Sequence, residues 1–264
     1  MTETPLADGQ LVLSQDDGIA RIRFNNPARR NAMTLAMWQA LGDVARDLPE
    51  RTRVVVLTGT GDKAFVSGAD ISEFPTLRRT PEQVAAYNAT VHRALSAVAD
   101  LPMPVIAQVR GYCIGGGLEI ATRCDLRLAS DDARFAFTPA KLGLAVAADE
   151  VNALARLIGP AATADLLFTA RQVPAEEALR WGLIARLVPG ASLEAATDAL
   201  ATQIARNAPL TLRAVKAALR AGPDPDMATR AAVEAQVAAC FASADYAEGQ
   251  AAFAEKRAPV FTGT

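Results

Sequence analysis

The segment Val105-Ile106-Ala107-Gln108-Val109, continuing as Arg110-Gly111-Tyr112-Cys113-Ile114-Gly115-Gly116-Gly117-Leu118-Glu119, decides how this chain is read. Val105 to Val109 is the short apolar run of a buried strand, and its glycine-rich exit leads into a helix beginning near Leu118. Three consecutive glycines at a strand-to-helix junction leave the backbone open to close approach, with free N–H groups at the helix start. Such a site suits an anion or a developing oxyanion. A tight turn needing positive φ accounts for the glycines equally well.

Outward from this segment, strand-like and helical patterns alternate up to about residue 190, which is an α/β pattern. Gly18 to Phe24 alternates as a half-buried strand and stops at Asn25-Asn26-Pro27. Leu35, Trp38, Leu41, Val44 and Leu48 then recur at helical spacing behind Thr34, a capping residue. Val54 to Leu57 reads as a buried strand, and Phe65-Val66 as a shorter one leading into Ser67-Gly68-Ala69-Asp70. Thr80-Pro81-Glu82-Gln83 combines a capping box with Pro at the first helical position, ahead of an apolar stripe of Val84, Tyr87, Val91, Leu95 and Val98. From Ser192 the strands vanish and Ala-rich helical patterns follow, broken at Pro209 and at Gly222-Pro223-Asp224-Pro225. The expected organisation is a core over residues 1–190 and a helical region over 191–264.

Apolar residues make up 51% of the chain but never run unbroken for the roughly 18 positions that a membrane-spanning helix requires. Met1 to Gln10 lacks the basic and apolar regions of a signal peptide and the Arg-rich character of a transit peptide, so a cytoplasmic protein is expected. Lys and Arg (27) nearly balance Asp and Glu (29) without long blocks of either sign, which argues against nucleic acid as a partner. Cys113, Cys124 and Cys240 show no metal-ligand spacing and read as free thiols.

Two rival readings fail on context. Gly59-Thr60-Gly61-Asp62-Lys63-Ala64 fits a dinucleotide-binding pattern, but strand-like Phe65-Val66 follows where that motif needs a long helix. A Ser-His-Asp hydrolase needs a histidine base, and the only histidine, His92, sits on the flank of an amphipathic helix with no sharp nucleophile turn nearby.

The segments Phe65-Val66-Ser67-Gly68-Ala69-Asp70-Ile71 and Pro104 to Ala107 with Gly111 to Glu119, followed by Cys124-Asp125, resemble the two signature stretches of the enoyl-CoA hydratase (crotonase) family. The resemblance extends from about Leu11 to the end, through Asn31-Ala32, Glu176-Glu177-Ala178, Gly182-Leu183-Ile184 and Phe253 to Arg257. It implies a spiral of repeated ββα units with a helical C-terminal region that packs against neighbouring subunits as a trimer or dimer of trimers. It also implies an acyl-CoA substrate, with no metal and no cofactor beyond the CoA of that substrate. The backbone N–H groups of Ala69 and Gly116 would form an oxyanion hole for the thioester carbonyl. Ser67, Gly68, Ala69, Asp70, Ile71 and Gly115 would lie along the CoA-bearing substrate, Arg29 and Arg30 near its phosphates, and Phe253 and Lys256 against the adenine bound to a neighbouring subunit.

Glu119, on the first turn of its helix, matches a glutamate with which hydratases handle water; a carboxylate there is also a favourable partner for the helix dipole. The family's second glutamate falls at Ala140, a departure from the pattern. Asp149 and Glu150 are the candidates to replace it, with a helix start capped by Asp149 as the competing reading. The expected reaction is syn hydration of a 2-enoyl-CoA. Double-bond isomerisation, decarboxylation or non-catalytic acyl-CoA binding are the alternatives that the missing glutamate leaves open.

Overall fold

The computed structural model describes residues 2–264. An antiparallel meander opens the chain: β1 (Thr2–Leu6), β2 (Leu11–Asp16) and β3 (Ile19–Phe24). After α1 (Leu35–Arg46), three ββα turns follow. The first is β4 (Val54–Gly59), β5 (Ala64–Val66) and, past the short α2 (Phe74–Leu77), α3 (Pro81–Asp100). The second is β6 (Val105–Val109), β7 (Tyr112–Ile114) and α4 (Gly116–Arg123); the third is β8 (Leu126–Ser130), β9 (Arg134–Ala136) and α5 (Ala148–Thr169). In every turn the first strand joins one sheet and the second strand another. The result is a seven-stranded sheet in the order β1-β2-β3-β4-β6-β8-β11 and a four-stranded sheet in the order β10-β9-β7-β5, where β10 is Val173–Pro174 and β11 is Arg186–Val188. Between them lies α6 (Ala175–Trp181). This is the spiral of ββα units expected from the sequence.

Local signals account for the element boundaries. The Thr34 hydroxyl accepts the Met37 N–H at the start of α1, and Thr80 with Gln83 forms the capping box of α3. The helix expected near Leu118 begins two residues earlier, at Gly116. Ala147, not Asp149, is the N-cap of α5, and no side chain caps it; Asp149 and Glu150 lie inside its first turn. That helix is broken at Gly159, where φ is +76°, ahead of Pro160.

Strand β4 is apolar from Val54 to Leu57 because both faces are covered there. Val55 and Leu57 join the main core with Trp38, Leu41 and Leu95. Val54 and Val56 face Ile106, Leu128, Leu193 and Leu200 on the other side. The last two belong to α7 (Leu193–Ala205), so the first helix beyond residue 190 lies on the sheet. The chain ends with α8 (Pro209–Ala221), α9 (Met227–Phe241) and α10 (Ala244–Glu255). Lys216 anchors α8: its buried ammonium donates to Asp125 at 2.7 Å and to the Met103 carbonyl at 2.9 Å. Among the described residues, no helix is long and apolar enough to cross a membrane.

Candidate active site

The ends of β5 and β7, neighbours in the smaller sheet, carry the two loops singled out in the sequence. After β5 the chain bends at Gly68 (φ +115°) and is tied to the residue before α1: the Met33 N–H donates to the Gly68 carbonyl and the Asp70 N–H to the Met33 carbonyl, both at 2.8 Å. These bonds flank Ala69, whose own N–H has no acceptor among the described residues. After β7, the Gly115 N–H donates to the Ala136 carbonyl at 2.9 Å, and the first bond of α4 runs from the Glu119 N–H to the Gly115 carbonyl. The Gly116 N–H between them is also without an acceptor. A Cβ built on Gly116 would lie 3.8 Å from the Ala69 nitrogen, so the two free amides are close neighbours.

The three glycines have separate reasons. Gly115 is at φ +51° and ψ −116°, a backbone that side chains disfavour. A Cβ on Gly116 would meet the Trp38 indole at 2.9 Å, and one on Gly117 would lie 2.2 Å from the Val66 carbonyl oxygen. Gly117 therefore lets α4 seat against β5, and the turn and the open amides coexist.

Ser67, Gly68, Ala69, Ile71, Gly115, Gly116 and Glu119 border one cavity of about 540 Å³, which also takes in Trp38, Tyr87, Phe137, Leu142 and Glu150. Glu119 and Glu150 face each other closely enough to interact both by charge and by carboxyl–carboxyl hydrogen bonding. Burial, then the Glu150 charge and that hydrogen bond, push the Glu119 carboxyl up to about 8, with Arg123 and Arg78 opposing the rise. Glu119 is thus protonated at neutral pH. Tyr87 is pushed up to about 12, first by burial and then by the charge of Glu73.

Of the two adjacent acids, only Glu150 borders the cavity; Asp149 is exposed. Ala140, on the 3-10 turn Pro139–Leu142, is exposed and outside the lining. Arg29 and Arg30 stand one step behind the cavity edge at Ser67, whose hydroxyl donates to the Arg29 carbonyl and whose N–H donates to the Arg30 carbonyl. Arg29 is held by both carboxylate oxygens of Asp70, at 2.9 and 2.8 Å. Burial would raise the Asp70 pKa, but its bonds from Ser72 and the Arg29 charge outweigh this and hold it below the usual range. The Arg30 guanidinium stacks over Tyr112 at 5.3 Å. Phe253 and Lys256 lie at the end of α10, away from this cavity; Phe253 is 88% exposed and borders a separate apolar groove of about 720 Å³.

Several lining residues escaped the sequence reading. Trp38 and Tyr87 read there only as members of apolar stripes, and His92 is an exposed side chain that reaches the cavity rim. Arg78 was not singled out at all.

Comparison with known proteins shows the family. A family model described as enoyl-CoA hydratase/isomerase matches residues 14–264. A short-chain-enoyl-CoA hydratase of Clostridium acetobutylicum is 33% identical over 94% of this chain and 95% of its own length. A crotonyl-CoA hydratase of Syntrophomonas wolfei is 31% identical over 96% and 97%. The crystal structure of an enoyl-CoA hydratase/carnithine racemase from Magnetospirillum magneticum, 38% identical, superposes with a TM-score of 0.90 over 97% of this chain and 96% of that one.

Proposed function

We propose that this chain, which belongs to the enoyl-CoA hydratase/isomerase family, adds water across the double bond of a 2-enoyl-CoA. The observation that carries the reading is the facing pair Glu119 and Glu150 in the same cavity as the two free amides of Ala69 and Gly116.

The thioester oxygen accepts from the Ala69 and Gly116 N–H groups. These are fixed before the substrate arrives, so charge developing on that oxygen is stabilised without reorganisation. A water that enters with the substrate takes the place of the direct contact between the two carboxyls. As its oxygen adds to the β-carbon, Glu150 takes its proton, and Glu119, which holds a proton at neutral pH, delivers it to the α-carbon on the same face. Both groups act from one side of the substrate, hence syn addition. Glu119 is then the acid, the reverse of the water-activating role that the resemblance implies, and Glu150 takes over that role, so the pair is complete without a glutamate at Ala140.

The remaining assignments belong to the same reading. Ser67 to Ile71 line the path of the CoA-bearing substrate, and Arg29 and Arg30 stand by its phosphates. The hydration so written uses no cofactor beyond the substrate's CoA. Phe253 and Lys256 serve a neighbouring subunit in a trimer or dimer of trimers, supported by the exposed Val215, Leu219, Phe241 and Phe253 of the C-terminal helices. The buried free thiols of Cys113 and Cys124 suit a cytoplasmic enzyme.

The test is hydration of crotonyl-CoA, followed by loss of the conjugated thioester absorbance. Glu119→Gln and Glu150→Gln should each lose at least about a hundredfold in rate, and Asp149→Asn should not. No hydration by the wild type, with α-proton exchange into heavy water intact, would replace hydration by isomerisation or decarboxylation.

A further inference from the structure

We propose that Arg78 is a specificity-determining residue that binds a carboxylate on the acyl group, so that the substrate class is an acyl-CoA whose chain ends in a carboxylate. This rests on reading the cavity as an acyl-CoA site.

Arg78 closes α2, its own N–H bonded to the Phe74 carbonyl at 3.0 Å. Its guanidinium lies over the rings of Phe74 at 4.7 Å and Tyr87 at 4.9 Å, and one terminal nitrogen donates to the Asn88 side-chain oxygen at 3.2 Å. All four residues border the cavity. The two rings stand edge to face, 6.1 Å apart with their planes at 77°, so both lie to one side of the guanidinium and its other side is left for a further group. Apart from the bond to Asn88, the guanidinium N–H donors have no partner among the described residues. No carboxylate of the described residues pairs with Arg78, whereas Arg29 and Arg171 are both paired.

The surroundings make the unpaired charge informative. Ile71, Phe74, Leu142 and Leu144 give the cavity an apolar wall. A hydrocarbon acyl chain filling it would strip water from Arg78 and supply no partner, which is unfavourable for a charge. A carboxylate would meet the guanidinium edge in the fork geometry that arginine favours. Arg78 lines the same cavity as Glu119 and Glu150, which Arg29 and Arg30 do not.

The experiment is calorimetric titration of the full chain with glutaryl-CoA and pentanoyl-CoA, which have the same carbon count and differ in a terminal carboxylate against a methyl. Neither can be hydrated, so the result does not depend on turnover; crotonyl-CoA hydration is measured separately and judges the reaction. Wild type should bind glutaryl-CoA about 10- to 100-fold more tightly, the range of a charge-assisted bond. In Arg78→Met the ratio should fall to one or below, and Arg78→Lys, which keeps charge without the planar fork, should restore part of it. Pentanoyl-CoA is the internal control for damage to the cavity. Equal affinities in the wild type, a ratio that survives Arg78→Met, or binding of neither thioester would overturn the proposal. So would an Arg78→Met variant in which only the pH profile of crotonyl-CoA hydration moves, since Arg78 would then act on Glu119 alone.

Discussion

Replacing Glu119 with Gln is expected to stabilise the protein while abolishing turnover, and the gain should grow with pH. In the fold its carboxyl is shifted from an ordinary 4.5 up to about 8, by burial and by Glu150. In the unfolded chain it loses its proton near 4.5; the folded chain keeps it until about 8. Between those values the folded state binds more protons, so wild-type stability falls as pH rises through that window, and Gln carries no such cost. The rise from 4.5 to about 8, at about 1.36 kcal/mol for each pH unit, sets an upper bound of about 5 kcal/mol. Part of the side chain opens to the solvent-filled cavity, and screening reduces the value to about 2 kcal/mol at pH 9. Urea unfolding of both forms at pH 5 and pH 9, at one chain concentration, measures it. A variant-minus-wild-type difference that is the same at both pH values, or a less stable variant at pH 9, would refute the argument.

Three further outcomes follow from the same geometry. With Glu119 as the acid, the kcat/KM of crotonyl-CoA hydration should fall as pH rises through about 8; a rate that climbs through that range would make Glu119 the base. Gly116→Ala, whose Cβ would press on the buried Trp38 ring at 2.9 Å rather than on backbone, should fold and lose about tenfold or more in kcat through a displaced oxyanion donor. Gly117→Ala would put a Cβ 2.2 Å from the Val66 backbone oxygen and should instead lose soluble, folded protein; equal behaviour of the two variants on gel filtration and turnover would contradict the division of roles. Truncation before Ala247 removes most of α10 and the Phe261 carbonyl that accepts from Arg53; light scattering should show loss of the trimer or dimer of trimers together with weaker CoA binding, and a full-length monomer that binds CoA normally would contradict the assembly.

Much of the architecture can be read from single segments, because the signals are local. Thr34 and Thr80 cap helices through atoms three residues away, β4 shows its two covered faces as an unbroken apolar run, and Gly115 to Gly117 mark a strand-to-helix turn that few other residues allow. The nearness of the Ala69 and Gly116 amides is not local: it depends on β5 and β7 pairing across the α3 crossover, and only the family resemblance anticipated it. What remained open in the sequence was the second carboxylate. Asp149 and Glu150 are adjacent and chemically alike, but one residue turns a helix by about 100°, so once Ala147 caps α5 only one of the two can face the cavity. That phase, and the course of the chain that leaves Ala140 outside the site, depend on how α5 packs against α4. Arg78 is the same case: among 27 basic residues nothing in its neighbours sets it apart, and its meaning comes from two rings and a cavity that the fold brings to it.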